Sequence, residues 1–362
     1  MAAAESTKSE NAIGKILIVG SAWVGDMIMS QSLFMLLKAR HPDCVIDVLA
    51  PPWTLPLLEF MPEIRRGIVL PFRHGELNIA RRRQIGLNLA EEGYDVSVTV
   101  PRTLKAAAVS YWAGIPRRYG NPRQLTLGML TDRRVVDPRD AYHQADRFVS
   151  LVLEPGEPIP DYPPPRLTVD GDRIAATLSR NGLSRPERPL LILAPGSGNN
   201  PAKRWPVRYF ADLARARLES GWDVWLFGSD DDRELTETVH ELAGRRTVDL
   251  GGKTPLSDAV ALTALADRVL ANDSGMMHVA AALDRPTIGI FGPTDPYFTA
   301  PRSPLLRSIR LPLACSPCGK SACPLGHFQC MWDLSPAVVL DALDGLPADD
   351  GGAQPVAAAG LA

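Results

Sequence analysis

Asn272-Asp273-Ser274-Gly275 closes a short apolar run, Val269-Leu270, and leads at once into the small and apolar residues Met276 to Leu283. A strand, an acidic turn, a glycine and a helix in that order aim free backbone N–H groups and the positive end of a helix at one point. Phosphate oxygens are the usual occupants of such a point. Asp273 would repel them, so it takes either sugar hydroxyls or the helix cap. His278, four residues after Ser274, shares a face of that helix. A plain capped and packed helix remains the alternative for this stretch taken alone.

Three further groups have the residue types for the same chemistry. The loop PGSGNNPAKRWP, Pro195 to Pro206, is rich in Gly and Asn, and it carries Gly196 and Lys203. The turn Gly228-Ser229-Asp230-Asp231-Asp232 is acidic, and Asp232 either chelates ribose hydroxyls or caps the helix behind it. The loop GSAWVGD, Gly20 to Asp26, has neither the G-x-G-x-x-G of a dinucleotide fold nor the Gly-Lys-Ser/Thr of a P-loop. It puts Asp26 at a helix start, as a general base or as a cap worth about 1 kcal/mol. Arg102 and Lys105 follow the strand Asp95 to Val100 and suit an anionic acceptor.

Near the C-terminus, Cys315, Cys318, Cys323 and Cys330 form C-x2-C-x4-C-x6-C, with His327 between the last two. The first pair has zinc-ligand spacing and the second does not repeat it. A structural zinc, packed thiols and an oxidation-formed disulfide all stay open. The cluster is far in sequence from the other motifs, so a metal in catalysis is not expected.

Elements that position these groups alternate along the chain. Apolar runs at Lys15–Gly20, Val45–Leu49, Gly67–Leu70 and Asp95–Val100 read as strands, with helices over Met27–Ala39, Leu77–Glu92 and Ala106–Ala113 between or after them. The alternation restarts with Leu190–Ala194 and continues through Asp223–Phe227, Thr247–Asp249, Val269–Leu270 and Thr287–Phe291. Such alternation implies mostly parallel, doubly wound sheets with sites along their C-terminal edges. The prolines of EPGEPIPDYPPPR exclude a helix or central strand and read as a linker. The expected organisation is a disordered tail (1–13), a first domain (14–153), a Pro-rich linker (154–166), a second domain (167–348) and a second tail (349–362).

The 45 % apolar and 22 % charged fractions are those of a soluble globular chain. There is no apolar run long enough to cross a bilayer and no secretion signal, which points to the cytoplasm. The net charge of −2 hides arginines crowded into the first half, among them Arg65, Arg66, Arg81, Arg82, Arg83, Arg118 and Arg134. A converging set would suit a phosphorylated molecule or an acidic membrane surface. Nucleic acid is not an expected partner.

AWVGDMIMSQSL (Ala22 to Leu33), PAKRWP (Pro201 to Pro206), LFGSDDD (Leu226 to Asp232) and NDSGMMHVAAAL (Asn272 to Leu283) resemble, in the same order, the motifs of the ADP-heptose:lipopolysaccharide heptosyltransferases of glycosyltransferase family 9. The resemblance runs from about Lys15 to the end of the folded chain and is greatest to the members that add the second heptose of the inner core. It implies a GT-B fold of two Rossmann-like domains facing each other across a cleft. It also implies an inverting, metal-independent transfer of L-glycero-D-manno-heptose from ADP-heptose to a lipid A–Kdo–heptose acceptor. Asp26 matches the proposed general base and Lys203 the phosphate-binding lysine. Ser274, Gly275 and His278 match the donor-binding helix start, Asp273 the heptose-holding carboxylate and Asp232 the ribose acid. Gly196 joins this donor set, and Trp23, Arg102 and Lys105 are the acceptor candidates. The loop Pro195 to Asn200 departs from the family's usual acidic or aromatic residue after Pro-Gly, which leaves its donor contacts open.

A lysine and oriented N–H groups stabilise a departing diphosphate. An aspartate of ordinary pKa, about 3.9, is ionised at neutral pH and ready to accept a proton. Peripheral contact with the cytoplasmic face of the inner membrane is expected, with Arg81, Arg82 and Arg83 as candidate contacts. The alternatives are another acceptor (the first or third core heptose, or a protein), a non-catalytic ADP-sugar-binding module, and a nucleotide-binding oxidoreductase, which the missing fingerprint disfavours.

Overall fold

The computed structural model describes residues 13–73, 75–121, 128–135, 137, 139–198 and 200–347. Apart from Ile13, the two expected tails lie outside these residues. The chain forms two compact units, one of residues 13–22 and 30–163, the other of residues 23–29 and 164–347.

In the first unit β1 (Lys15–Val19) is central. Between it and β2 (Val45–Ala50) the chain runs through α1 (Val24–Met29) and α2 (Gln31–Arg40), and β3 (Ile64–Val69), α3 (Ile79–Ala90), β4 (Val96–Thr99), α4 (Leu104–Trp112), β5 (Arg117–Gly120), β6 (Asp132–Arg133) and α5 (Gln144–Val149) follow. Among the described residues the sheet is parallel and six-stranded, in the order β3-β2-β1-β4-β5-β6. Leu17, Val19, Leu49, Leu89 and Val109 make part of its core, as expected for central parallel strands covered on both faces.

Several first-half arginines are used inside this unit. Asp47, buried in β2, accepts from Arg65 Nε at 2.9 Å, Arg66 Nε at 3.2 Å and the Tyr94 hydroxyl at 2.6 Å. Burial would raise its pKa, but the hydrogen bonds from Arg65 and Tyr94 and the two guanidinium charges hold it below the ordinary carboxylate value.

The second unit contains α6 (Gly171–Arg180), β7 (Leu190–Ala194), α7 (Val207–Glu219), β8 (Asp223–Leu226), α8 (Arg233–Leu242), β9 (Val248–Asp249), α9 (Leu256–Thr263), β10 (Arg268–Asn272), α10 (Gly275–Ala282), β11 (Thr287–Ile290) and β12 (Leu306–Ile309), and it closes with a helix over Pro336–Asp344. Its parallel sheet runs β12-β11-β10-β7-β8-β9. Counted from its own first strand, β7, this is the order of the first sheet, the doubly wound 3-2-1-4-5-6. Each sheet therefore reverses direction between two named strands, β1 and β4 in one, β7 and β10 in the other. Ligands of open α/β sheets bind beyond the carboxyl ends of such a pair.

Two expectations differ from the structure. The helix foreseen over Met27–Ala39 is broken at Ser30 into α1 and α2. The expected first domain, 14–153, includes α1, whereas α1 packs with the second unit and α2 with the first. The proline stretch is tied at both ends: Ser32 Oγ donates to Pro163 O at 2.9 Å, and Leu167 N donates to Ala282 O at 2.7 Å.

Candidate active site

The motif residues of the second unit gather where its sheet reverses. β7 ends at Ala194 and releases the loop that carries Gly196 and Lys203, while β10 ends at Asn272 and releases Asp273, Ser274 and Gly275. Asn272, fully buried, ties the two loops together. Its Oδ1 accepts from Trp205 N at 3.1 Å, and its Nδ2 donates to Pro195 O at 2.7 Å and to Gly196 O at 3.4 Å. The buried Trp205 anchors the far end of the loop by donating Nε1 to Leu334 O at 2.9 Å.

Held this way, Lys203 Nζ meets Asp273 Oδ2 at 2.7 Å. The same oxygen accepts from Thr294 Oγ1 at 2.6 Å. Asp273 is only 5 % exposed, so the pair is shielded from solvent on the carboxylate side. Sequence reasoning named neither Asn272 nor Thr294 as site residues. An amide closing an otherwise apolar buried strand was the available signal for the first, because a buried amide needs partners.

Ser274 occupies the N-cap of α10 in extended conformation, and its side chain makes no capping hydrogen bond. With Asp273 engaged by Lys203 and Thr294, the plain capping alternative for this stretch is not what is found. α10 instead presents its first turn beside α1. A Cβ on Gly25 would stand 2.7 Å from the His278 ring, and a Cβ on Gly275 would stand 2.8 Å from Val24 Cβ. The two helices approach to a distance that only glycine tolerates at these positions. Asp26 follows Gly25 on α1, the helix that packs against α10.

Asp232 stands at the N-cap of α8 but makes no side-chain capping bond to that helix; it serves the short turn Asp230–Asp232 before it. Its Oδ2 accepts from Ser229 N at 3.2 Å and Ser229 Oγ at 2.6 Å, a capping box. Its buried Oδ1 has no hydrogen-bond partner, and its carboxyl carbon lies so close to Gly196 that a Cβ there would come within 2.4 Å. Arg102 and Lys105 stand beyond the carboxyl end of β4 in the first unit, and Lys105 Nζ donates to Glu76 O at 3.3 Å. Trp23, at the start of α1, is half-exposed.

Cys315, Cys318, Cys323, Cys330 and His327 line one small cavity with Ala202 and Pro293, the residues next to Lys203 and Thr294. All four thiols are free. Backbone N–H groups from Phe328, Leu325, Gly326 and His327 surround the Cys323 sulfur and lower its pKa. Among the described residues no group of three His, Cys, Asp or Glu side chains is placed to hold a metal ion. Of the three readings left open for Cys315, Cys318, Cys323 and Cys330, the disulfide is not formed here, since each thiol is free.

The arrangement suits a nucleoside-diphosphate sugar: a lysine held by a carboxylate beside a helix start whose N-cap side chain makes no capping bond. The solved structure of the Escherichia coli ADP-heptose lps heptosyltransferase II superimposes with a TM-score of 0.80 at 37 % identity, over 91 % of this chain and 97 % of that one. Fold and site together define a GT-B glycosyltransferase.

The family description "Glycosyltransferase family 9 (heptosyltransferase)" matches residues 82–329. Lipopolysaccharide heptosyltransferase 2 of Salmonella typhimurium is 40 % identical over 93 % of this chain and 99 % of its own length. Lipooligosaccharide heptosyltransferase 2 of Haemophilus influenzae is 38 % identical over 91 % and 99 %. The chain belongs to glycosyltransferase family 9, the heptosyltransferases. Among the described residues no helix is long and apolar enough to cross a membrane.

Proposed function

We propose that this chain is a heptosyltransferase II, moving L-glycero-D-manno-heptose from ADP-heptose to the first heptose of a lipid A–Kdo–heptose acceptor. The observation that carries this reading is the 40 % identity to a lipopolysaccharide heptosyltransferase 2 along almost the whole of both chains. In the proposed reaction Asp26 takes the proton of the acceptor hydroxyl, whose oxygen attacks the anomeric carbon from the face opposite the leaving group. The bond from that carbon to the β-phosphate oxygen breaks and ADP leaves, so the configuration inverts.

Charge developing on ADP is met by Lys203 and by the N–H groups of Ser274 and Gly275 at the start of α10. Asp273 orients the lysine and accepts heptose hydroxyls. His278 closes the floor of the donor site, and Gly196 lets the donor loop lie against the Asp232 carboxyl group. Asp232 faces the ribose, and binding there requires its capping box to open. Trp23, Arg102 and Lys105 contact the acceptor, whose Kdo and lipid A phosphates are anionic. The enzyme works in the cytoplasm at the inner membrane.

The test is ADP release from ADP-heptose with two acceptors side by side, Kdo-lipid A and the same molecule already carrying its first heptose. Release with the second alone supports the reading. Release with the first alone moves the protein to the preceding transfer, and release with neither removes the assignment.

A further inference from the structure

In the first unit Arg82, expected with Arg81 and Arg83 as a membrane contact, is only 3 % exposed and works as a pin. It stacks 3.9 Å over the Phe72 ring. It donates to Leu77 O at 2.6 Å, Glu76 O at 2.9 Å and Lys105 O at 3.4 Å. Three backbone carbonyls from the loop before α3 and the first turn of α4 are thus drawn onto one guanidinium. Exposed at that junction are Leu77 (52 %), Ile79 (55 %) and Leu104 (38 %). Three large aliphatic side chains, brought together by a buried arginine and left bare, are a costly surface for a lone soluble unit.

Exposed cations lie close to them in the chain. Arg73, Arg81 and Arg83 are exposed, and Arg83 shares the face of Ile79 one helical turn on. Between Pro71 and Gly86 the only acidic residue is Glu76, and Arg73 N and Asn78 Nδ2 already donate to its carboxylate. Exposed aliphatic side chains with exposed arginines close by in the chain match an anionic bilayer surface, whose head groups take the charge while the acyl boundary takes the side chains. A protein partner would need complementary acids around an apolar centre.

We propose that the junction of residues 75–78 with the start of α4 docks on anionic phospholipid through Leu77, Ile79 and Leu104, with Arg73, Arg81 and Arg83 as the head-group contacts. This deepens the reading of a membrane-bound acceptor and rests on it for its purpose, but not for its measurement. Arg82 takes no part in the lipid contact; it holds the patch together.

The test is flotation of the full chain with vesicles of phosphatidylglycerol in phosphatidylcholine, against phosphatidylcholine alone. Turnover is followed in parallel on a soluble heptose–Kdo oligosaccharide acceptor. Wild type is expected to float with the anionic vesicles only. Arg81→Ala with Arg83→Ala weakens binding by about 25-fold, about fivefold per cation. Leu77→Ser with Leu104→Ser abolishes binding, Arg208→Ala on the other unit changes nothing, and all variants keep soluble turnover.

Wild-type flotation by the arginine and leucine variants overturns the proposal, as does equal binding of wild type to neutral vesicles. Binding to an acidic protein with no flotation overturns it in favour of a protein partner. If wild type floats yet turns over no ADP-heptose, the transferase reading fails while the docking surface stands.

Discussion

Lys203 Nζ and Asp273 Oδ2 meet at 2.7 Å across two loops that leave neighbouring strands, β7 and β10. The lysine keeps one-fifth of its side chain exposed and the aspartate almost none. The ammonium is thus the half of the pair that an incoming anion reaches, and the carboxylate is its fixed counter-charge. Lys203→Met leaves a buried carboxylate held by Thr294 alone and is expected to cost about 3 kcal/mol of stability. ADP affinity falls at least tenfold with it. Lys203→Met combined with Asp273→Asn should recover much of the stability and none of the affinity. Thermal melts and calorimetric ADP titrations check both, and recovered ADP binding in the double variant would make the lysine purely structural.

Asn272 is expected to matter as much for the loop as Lys203 does for the ligand. Asn272→Ala orphans the Trp205 N–H and two carbonyls in a buried setting, a loss of about 2–4 kcal/mol. Asn272→Asp keeps the acceptor for Trp205 but replaces the donor to Pro195 O with a second oxygen. Its stability deficit should therefore be largest at neutral pH and shrink as acid protonates the carboxyl and restores an O–H donor. Urea unfolding at neutral and mildly acidic pH measures this, and a pH-independent deficit would remove the donor role.

The succession of strands along the chain and the second-unit loops were legible because β1, β2, β4, β7, β8, β10 and β11 are apolar runs bounded by turn residues, but their order within each sheet was not. β5, Arg117–Gly120, and β6, Asp132–Arg133, were not. They are short edge-side strands of charged residues, fixed by their neighbours rather than by an apolar pattern. The motifs that carry Lys203, Asp273 and Gly275, which lie at the ends of neighbouring strands, were readable. The partners that fix them were not: Asn272 and Thr294 act by hydrogen bonds to loops whose meeting depends on strand order. The split between α1 and α2 was hidden for a similar reason, since Met27, Ile28 and Met29 continue the apolar pattern straight through Ser30.

The contact between α1 and α10 gives the third prediction. Gly25→Ala and Gly275→Ala each put a methyl where the neighbouring helix already lies, at 2.7 Å from His278 and Val24 respectively. Overpacking of this kind costs about 1–3 kcal/mol. It also displaces Asp26, so turnover should fall while ADP affinity changes less. Asp26→Asn, which changes no packing, is expected to lower turnover by about 10²–10⁴ with ADP binding intact. If Asp26→Asn retains wild-type turnover, Asp26 is not the base and the glycine variants report packing alone.

The cysteines give a pH-dependent prediction. Backbone N–H groups led by that of Phe328 stabilise the Cys323 thiolate and lower its pKa, whereas burial, followed by the nearby Cys318, Cys315 and Cys323, raises that of Cys330. The thiolate is the nucleophile, so at neutral pH iodoacetamide should label Cys323 well before Cys330. The Cys323 rate should level off at a pH below the ordinary thiol value of about 8.5. Buried Cys44, also raised by burial, should react only after unfolding. Because Ala202 and Pro293 wall the same cavity beside Lys203 and Thr294, the added carboxamidomethyl group crowds the loops that hold Asp273. Labelled protein should lose ADP affinity, and Cys323→Ser should be insensitive to the reagent. Peptide mapping against time and pH decides the order; first labelling of Cys330 would mean that the backbone nest does not stabilise the Cys323 anion.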